Sequence, residues 1–405
     1  MVNLLEIYYR LVRACCLFLI FLSCYIVASG QSMRRCNTSQ EVSETSHSGF
    51  FSYPREGVEI PVVFHIVWNR QDQNISDDFI FSQLEVLNDD YNANNDDLSL
   101  LPSEFKNALG NPGISFCLAN KNPKGRPAIG IVRTNTSRIN IGNQRQIVEG
   151  IRRIKSTELG GSDPWNTKRY LNIWIGARDD GLLGDATFPN EEDPNKIDGI
   201  VISHKVLGRR PDLDSPFNLG RTLTHEIAHY LNLNHLSGTE TGCFTDDDGV
   251  EDTPNQFEEY FGTCSDRVES CDSRDMDMNF MSFRDDACLV FFTKGQVARM
   301  TETLFTDRFE LISSNTCSES NPLAPDPLRI AKVHTFADQL EVSLVTLVNR
   351  EYTLEVFDIV GRYQTKFENN PAHTYRLPFL DYSSGIYLLR LEVAGKQFVR
   401  KVYID

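Results

Sequence analysis

The segment "THEIAHYLNLNH", Thr224 to His235, makes one demand on the fold of the whole chain. His225 and His229 are four apart, so on a helix they share a face and can hold one metal ion from the same side. His235 lies too far along a straight helix to reach that ion. The helix must stop after Leu231, and the chain must turn back at Asn232. Such a turn needs a residue with positive φ, usually glycine at the helix C-terminus. Asparagine is the next best, because its short polar side chain tolerates the left-handed region. The spacing therefore predicts a short helix, an abrupt end at Asn232, and three converging imidazoles.

Three nitrogen ligands leave a fourth position on zinc open, which marks a catalytic rather than a structural site. The metal lowers the pKa of a bound water, and Glu226, one residue after the first ligand, is placed to take its proton as it attacks a carbonyl. The bland alternative is a chance match on an ordinary helix. His235 at the required spacing, with a helix stop between, speaks for zinc.

"VEIPVVFHIVW" from Val58 alternates as a strand does. "DDFIFSQLEVLNDDYN" carries Phe79, Leu84, Leu87 and Tyr91 at helical spacing. "RYLNIWIGAR" and "DGIVISHKV" are further strands, so the expected class is an α/β (α+β) domain with a mixed, twisted sheet. Pro322, Pro325 and Pro327 mark a linker over 318–328. Beyond it, "EYTLEVFDIVG" and "GIYLLRLEVAGKQFVRKVYID" alternate with period two, the latter as a hairpin turning at Gly395. Residues 329–405 are expected to form a small all-β, immunoglobulin-like sandwich.

Arg10 and Arg13 precede the apolar run "ACCLFLIFLSCYIVASG", with small residues at Ala28 and Gly30. This pattern predicts a signal peptide over 1–30 rather than a stable transmembrane anchor. Its removal leaves seven cysteines in an oxidising compartment, an odd number, so one thiol has no partner within the chain. The net charge of −16 argues against nucleic acid or an anionic membrane surface as a partner. A cationic substrate or bound calcium fits it better; an acidic surface that keeps the chain soluble fits equally.

From about Ile60 to Met300 the chain resembles the pappalysins, a family of metzincin zinc peptidases. "IPVVFHIVW", "ISFCLA", "GIVRT", "SDPWNTKRYLNIWI", "LLGDATFP" and "DGIVI" are similar to that family's successive landmarks before the helix, and "DDDGVEDTP", "MNFMSF" and "FFTKGQVARM" to those after it. The resemblance implies a secreted zinc endopeptidase with protein or peptide substrates. It makes Met281 the methionine of the turn beneath the metal, a hydrophobic base and not a ligand. Phe283 stands where the family usually has tyrosine; without a hydroxyl it is expected to be a wall. "LLGDATFP" resembles the edge strand against which metzincins lay an extended substrate.

Several finer expectations follow from the same resemblance. "DDDGVEDTP" crowds five carboxylates together, among them Asp246 and Asp247, and relatives bind calcium in the corresponding region, which points to Asp248, Asp252 and Thr253. A solvated acidic loop is the alternative. The implied disulfides are Cys243–Cys271 and Cys264–Cys288, with Cys117 and Cys317 then expected to pair. Family members carry an Arg-x-Cys-Gly-Thr-like segment whose thiolate caps zinc in the precursor. Arg34, Arg35, Cys36, Asn37 and Thr38 are similar to it, so Cys36 is a candidate zymogen switch within a pro-segment over 31–57; an unpaired or intermolecular cysteine is the alternative. Asp286 is a candidate for a specificity pocket that favours lysine or arginine, since some relatives cut before such residues.

"LEVFDIVGR" and "SSGIYLLRLEVAGKQFVRKVYID", with Gly361, Gly385, Tyr387 and Lys401, resemble the sorting domain of the type IX secretion system. That implies export through the periplasm of a Gram-negative bacterium to the surface or medium. The expected organisation is a signal peptide, a latency segment, a metallopeptidase domain over 58–317, a linker and a sorting domain. Two rivals remain at this stage: a surface adhesin that keeps the fold without turnover, and a zinc hydrolase of non-peptide amides. Glu226 separates the first, since only an enzyme needs its carboxylate. The edge strand separates the second, since a small amide has no backbone to pair.

Overall fold

The computed structural model describes residues 35–36, 58–189, 197–210, 213, 215–238, 242–243, 248–264, 267–314 and 316–317, together with C-terminal strands between 332 and 404. The expected signal peptide, the rest of the pro-segment, the linker, Asp246, Asp247 and Gly395 lie outside the described residues.

β1 (Val58–Trp68) organises the catalytic part. Its first half pairs with β2 (Ile114–Leu118) and its second half with β3 (Ile131–Asn135), both parallel, while β4 (Leu171–Gly176) lies parallel along its other side. β6 (Ile200–Ser203) runs parallel to β4, and β5 (Gly184–Ala186) closes the sheet antiparallel to β6. The order is β2-β1-β4-β6-β5, which leaves β5 as an edge. β1 is apolar almost throughout because both its faces are covered. Ile60, Val62, Phe64 and Ile66 join the main core, whereas Val67 packs on the opposite face with Ile141, Ile154 and Trp174.

His65 shares that opposite face. Its ring stacks on Trp174, centroids 5.0 Å apart, and its two nitrogens meet Ser162 Oγ and Asn172 Oδ1, each at 2.9 Å. Burial pulls its pKa down to about 4. This histidine is a satisfied core residue that ties the 162–172 loop to the central strand.

α1 (Asp77–Asp90) crosses the main-core face. Ile80, Leu84, Leu87 and the following Tyr91 are buried, whereas Phe79, expected on that stripe, is only partly so. Phe79 packs at the margin of the core, and Arg210 covers its ring at 4.1 Å. α1 in turn docks the histidine-bearing helix α2 (Arg221–Tyr230). Tyr91 donates to Thr224 O at 2.9 Å, Thr224 Oγ1 donates to Asp90 at 2.6 Å, and Gln83 donates to Gly220 O at 3.0 Å. Every residue of α2 is buried, so its place is set by contacts on all sides and not by an amphipathic stripe.

α3 (Lys294–Phe305) begins with a capping box between Thr293 and Gln296, and α4 (Phe309–Ile312) follows it. Three disulfides, Cys117–Cys317, Cys243–Cys271 and Cys264–Cys288, match the expected pairing, and Cys36 is buried and outside all three. The first joins positions 200 residues apart, β2 to the end of the domain.

The C-terminal part is all-β. β7 (Lys332–Thr335), β8 (Gln339–Ser343) and β11 (Thr374–Pro378) form one antiparallel sheet. β9 (Tyr352–Asp358), β10 (Tyr363–Glu368), β12 (Gly385–Val393) and β13 (Lys396–Ile404) form another, in the order β10-β9-β12-β13. The long register of β12 on β13 is the expected hairpin. Among the described residues, no helix is long and apolar enough to cross a membrane.

Candidate metal centre

α2 ends at Tyr230 with Leu231 as its cap residue, and Asn232 has φ of 73°. Asn232 N–H donates to His229 O at 2.9 Å and Leu233 N–H donates to Ala228 O at 2.9 Å. Those two bonds define the Schellman turn that ordinarily carries glycine in this place. The reversal delivers His235 to its partners. The three Nε2 atoms stand 2.9–3.2 Å from one another.

The far side of each ring decides which nitrogen faces the centre. His225 Nδ1 lies 2.7 Å from Phe280 O and His229 Nδ1 lies 2.7 Å from Leu233 O, so both donate outward and turn a lone pair inward. The Leu233 carbonyl belongs to the same turn that Asn232 makes, so one backbone reversal both returns His235 and orients His229. His235 has a carboxylate outside it: Glu259 Oε1 is 3.9 Å from its Nδ1 and accepts from Ser237 Oγ at 2.6 Å. Burial pulls all three imidazoles down, His229 to about 4, so they are neutral donors at ordinary pH.

Cys36 completes the group. Its Sγ is 3.3 Å from the Nε2 atoms of His229 and His235, and these four donor atoms lie within 4.8 Å of one another. The residue before it reaches a second buried site. Arg35 Nη1 meets Asp286 Oδ1 at 2.9 Å and Thr222 Oγ1 at 3.1 Å, Nη2 donates to Arg284 O at 2.6 Å, and the guanidinium lies over the Phe217 ring. Both side chains of the Arg35–Asp286 pair are fully buried. Asp286 also accepts from the Leu219 and Arg221 N–H groups at the start of α2, where the helix dipole favours a negative charge. The Arg35 carbonyl accepts from Gly184 N–H at 3.0 Å, on the free edge of β5.

Glu226 points into the same space. Both its oxygens are buried without a hydrogen-bond partner among the described residues. Burial, then the nearby Asp185, pushes its pKa well above the usual carboxylate range, against the pull of Arg178 and Arg35. Gly184 lies directly over it: a Cβ there would come 2.5 Å from Glu226 Oε1. Asp185, the next residue of β5, is held ionised by Arg152 and Arg178, which outweigh its burial.

Residues 158–305 match the peptidase family M43 model described as pregnancy-associated plasma protein-A, and residues 336–405 match a secretion system C-terminal sorting domain. An extracellular metalloprotease of Arthroderma gypseum is 30% identical over 65% of this chain and 78% of its own length. Among solved structures, promirolysin of Tannerella forsythia is 40% identical, covers 66% of this chain and 88% of that one, and has a TM-score of 0.61. Mature mirolysin in complex with a cleaved peptide, from the same organism, aligns over its whole length with the same identity and TM-score.

The chain belongs to the pappalysin family.

This pappalysin is a metalloendopeptidase, secreted or at the cell surface, with a C-terminal sorting domain. Met281 is fully buried in the main core, and the Phe283 ring stands 4.6 Å from that of His235. Asp248 and Thr253 hydrogen-bond each other at 2.7 Å. The Asp252 carboxylate accepts from Thr293 Oγ1 and Gly295 N–H at the start of α3, so it caps a helix. Arg35, Gly184 and Glu259 carry parts of this site that sequence reasoning did not single out. Arg35 stands next to Cys36, and Gly184 is the glycine inside "LLGDATFP"; Glu259 had no signal of its own.

Proposed function

We propose that this pappalysin is a zinc-dependent endopeptidase made as a latent precursor and directed to bonds that precede a basic residue. The observation that carries the reading is the convergence of three neutral imidazole nitrogens and one thiol beside a buried, unpartnered carboxylate. This donor set, with its outward N–H groups already committed, fits zinc. His225, His229 and His235 would hold the ion. When bound, zinc supplies a Lewis acid that polarises a carbonyl and makes water more acidic.

The remaining steps belong to the chain. Glu226 takes a proton from the attacking water and returns it to the leaving amine nitrogen; its raised proton affinity suits both transfers. The free edge of β5 offers Gly184 N–H to the backbone of an extended peptide, as it does to the Arg35 carbonyl. Asp286 receives the guanidinium or ammonium of the substrate residue that follows the cut bond, in the place Arg35 holds in the precursor. Cys36 occupies the fourth donor position, and Arg35 anchors it there, until the segment 31–57 is cleaved away.

The same proposal covers processing and location. The segment 1–30 is a signal peptide that directs the chain to the periplasm of a Gram-negative bacterium, 58–317 is the enzyme, 318–328 a linker, and 329–405 is read by the type IX machinery. A calcium ion at Asp248, Asp252 and Thr253 would bind through oxygen lone pairs beyond those already engaged.

The test is N-terminal analysis and peptide cleavage by the purified precursor, its Glu226→Ala form and its Cys36→Ala form. The unaltered precursor should mature and cut before arginine or lysine. Glu226→Ala should bind zinc but stay full-length and silent, and Cys36→Ala should be active without maturation. An active Glu226→Ala protein would overturn the mechanism, and a silent Cys36→Ala precursor would overturn the switch.

A further inference from the structure

A cleft of about 480 Å³ opens beyond the far end of the edge strand. One wall is Thr187, Phe188 and Pro189, which continue directly from β5; the other is Asp307 and Arg308, between α3 and α4, and Phe309 at the start of α4, with Lys168 and Glu310 also on the lining. Arg308 builds the floor rigidly. Its Nε donates to Tyr230 O at 2.8 Å, one Nη donates to Thr187 O at 3.2 Å, and the guanidinium pairs with Asp198 through both oxygens. The end of the histidine helix and the end of the edge strand are thus bolted together beneath one opening.

The Asp286 pocket stands at the start of α2 and the cleft at its end, with His225 and His229 between them in sequence. Gly184 pairs with Arg35, whose side chain fills that pocket, and the chain then passes to Cys36 over the histidines. Phe188 lines the cleft, its ring 5.5 Å from that of His229. At about 3.3 Å per residue, Gly184 to Phe188 spans roughly 13 Å of strand. A peptide laid along this edge with a basic residue in the Asp286 pocket therefore brings a residue roughly three to four positions upstream to the mouth of the cleft.

The lining says what that residue is. Phe309 is 53% exposed, a large apolar face left open beside the cleft. Asp307 next to it forms no ion pair among the described residues, whereas Asp198 is neutralised by Arg308 and Glu310 lies 3.7 Å from Lys168. An exposed aromatic face beside an uncompensated carboxylate suits a flat cation on an apolar stem.

We propose that this cleft is a second specificity subsite, which takes an arginine side chain upstream of the scissile bond by stacking on Phe309 and pairing with Asp307. The inference rests on the proposed cleavage before basic residues and adds a second point of recognition at the other end of α2. The enzyme then reads two cations separated by a fixed length of extended chain. Substrates with paired, spaced basic residues are preferred over those with one.

The test uses purified mature enzyme and two peptides that share an arginine after the scissile bond and differ only in having arginine or alanine three and four positions before it. The unaltered enzyme should prefer the first by about tenfold in kcat/KM, and Asp307→Asn and Phe309→Ala should each bring the ratio close to one. Both residues are exposed, and an unchanged melting temperature checks that each variant is folded. Cleavage of both peptides at equal rates, or a preference that survives both substitutions, overturns the subsite and leaves the peptidase reading standing. If neither peptide is cut, the proposed cleavage before basic residues fails and takes the subsite with it.

Discussion

Gly184 lies over Glu226 so closely that a single methyl group in its place would overlap the carboxylate. The edge strand can cover this carboxylate only because it lacks a side chain at that point. Gly184→Ala should therefore push the Glu226 carboxylate aside and lower kcat/KM by 100-fold or more, on the order of 3 kcal/mol of transition-state stabilisation. Zinc content should stay at one per chain, because no histidine is touched. A variant that keeps both its metal and its activity would refute the positioning role.

The Schellman turn at Asn232 gives a second test. Its φ of 73° suits glycine at least as well, so Asn232→Gly should leave zinc affinity and melting within experimental scatter. A β-branched residue in that region costs roughly 1–3 kcal/mol and would loosen the return of His235. Asn232→Val should bind zinc at least tenfold more weakly by competition with a chelator. Equal affinities in the two variants would mean that the turn is held by something other than residue 232.

Arg35 and Asp286 form a buried pair, and breaking such a pair typically costs about 3–5 kcal/mol. Arg35→Ala should make the precursor melt at lower temperature and mature faster, while the mature enzyme, which lacks that segment, is unaffected. Asp286→Asn should in addition erase the preference for arginine over alanine after the cut bond. Steady-state kinetics on matched peptides reads the second effect, and maturation time courses read the first. Precursor stability indifferent to Arg35 would argue against an anchoring role.

His65 sets a pH dependence. Its pKa is about 4 in the folded chain against 6.5 in the unfolded one, because burial opposes its charge. As pH falls below 6.5 the unfolded chain takes up a proton that the folded chain does not. The stability is thus complete above that value and declines until the folded form protonates near 4. From pH 7.5 to 5 the loss from this one group is about 2 kcal/mol. His65→Gln should show a correspondingly flatter fall in urea-unfolding free energy over that range; an identical slope would contradict the assignment.

Calcium is tested by removal. Full chelation followed by zinc alone should leave the melting temperature several degrees low, and added calcium should restore it. Asp248→Asn should behave as the calcium-free protein does. Complete recovery on zinc alone would leave Asp248, Asp252 and Thr253 as a hydrogen-bonded helix-capping loop and nothing more.

Much of this molecule is legible in one dimension because its decisive features are local. Two histidines four apart must share a helix face, and a residue that tolerates positive φ must follow if a third is to join them. β1 reads as a strand because it is a short run rich in branched and aromatic residues. These are statements about neighbours a few positions away, and backbone geometry converts them directly into space. The stripe on α1 holds, with Phe79 packed at its margin, where its ring also meets Arg210, a remote contact that no periodicity reports.

What the tertiary structure alone decided are meetings between distant parts of the chain. Arg35 and Asp286 are 251 residues apart, and nothing local in either reveals that they neutralise one another. Gly184 is a glycine like others until Glu226 is found beneath it. The family resemblance makes Asp252 a candidate calcium ligand; that its carboxylate also accepts from the start of α3, more than forty positions on, is visible only in the fold. Burial is the common cause: it removes water as the alternative partner, so which groups must pair depends on the packing of the whole domain and not on the order of its residues.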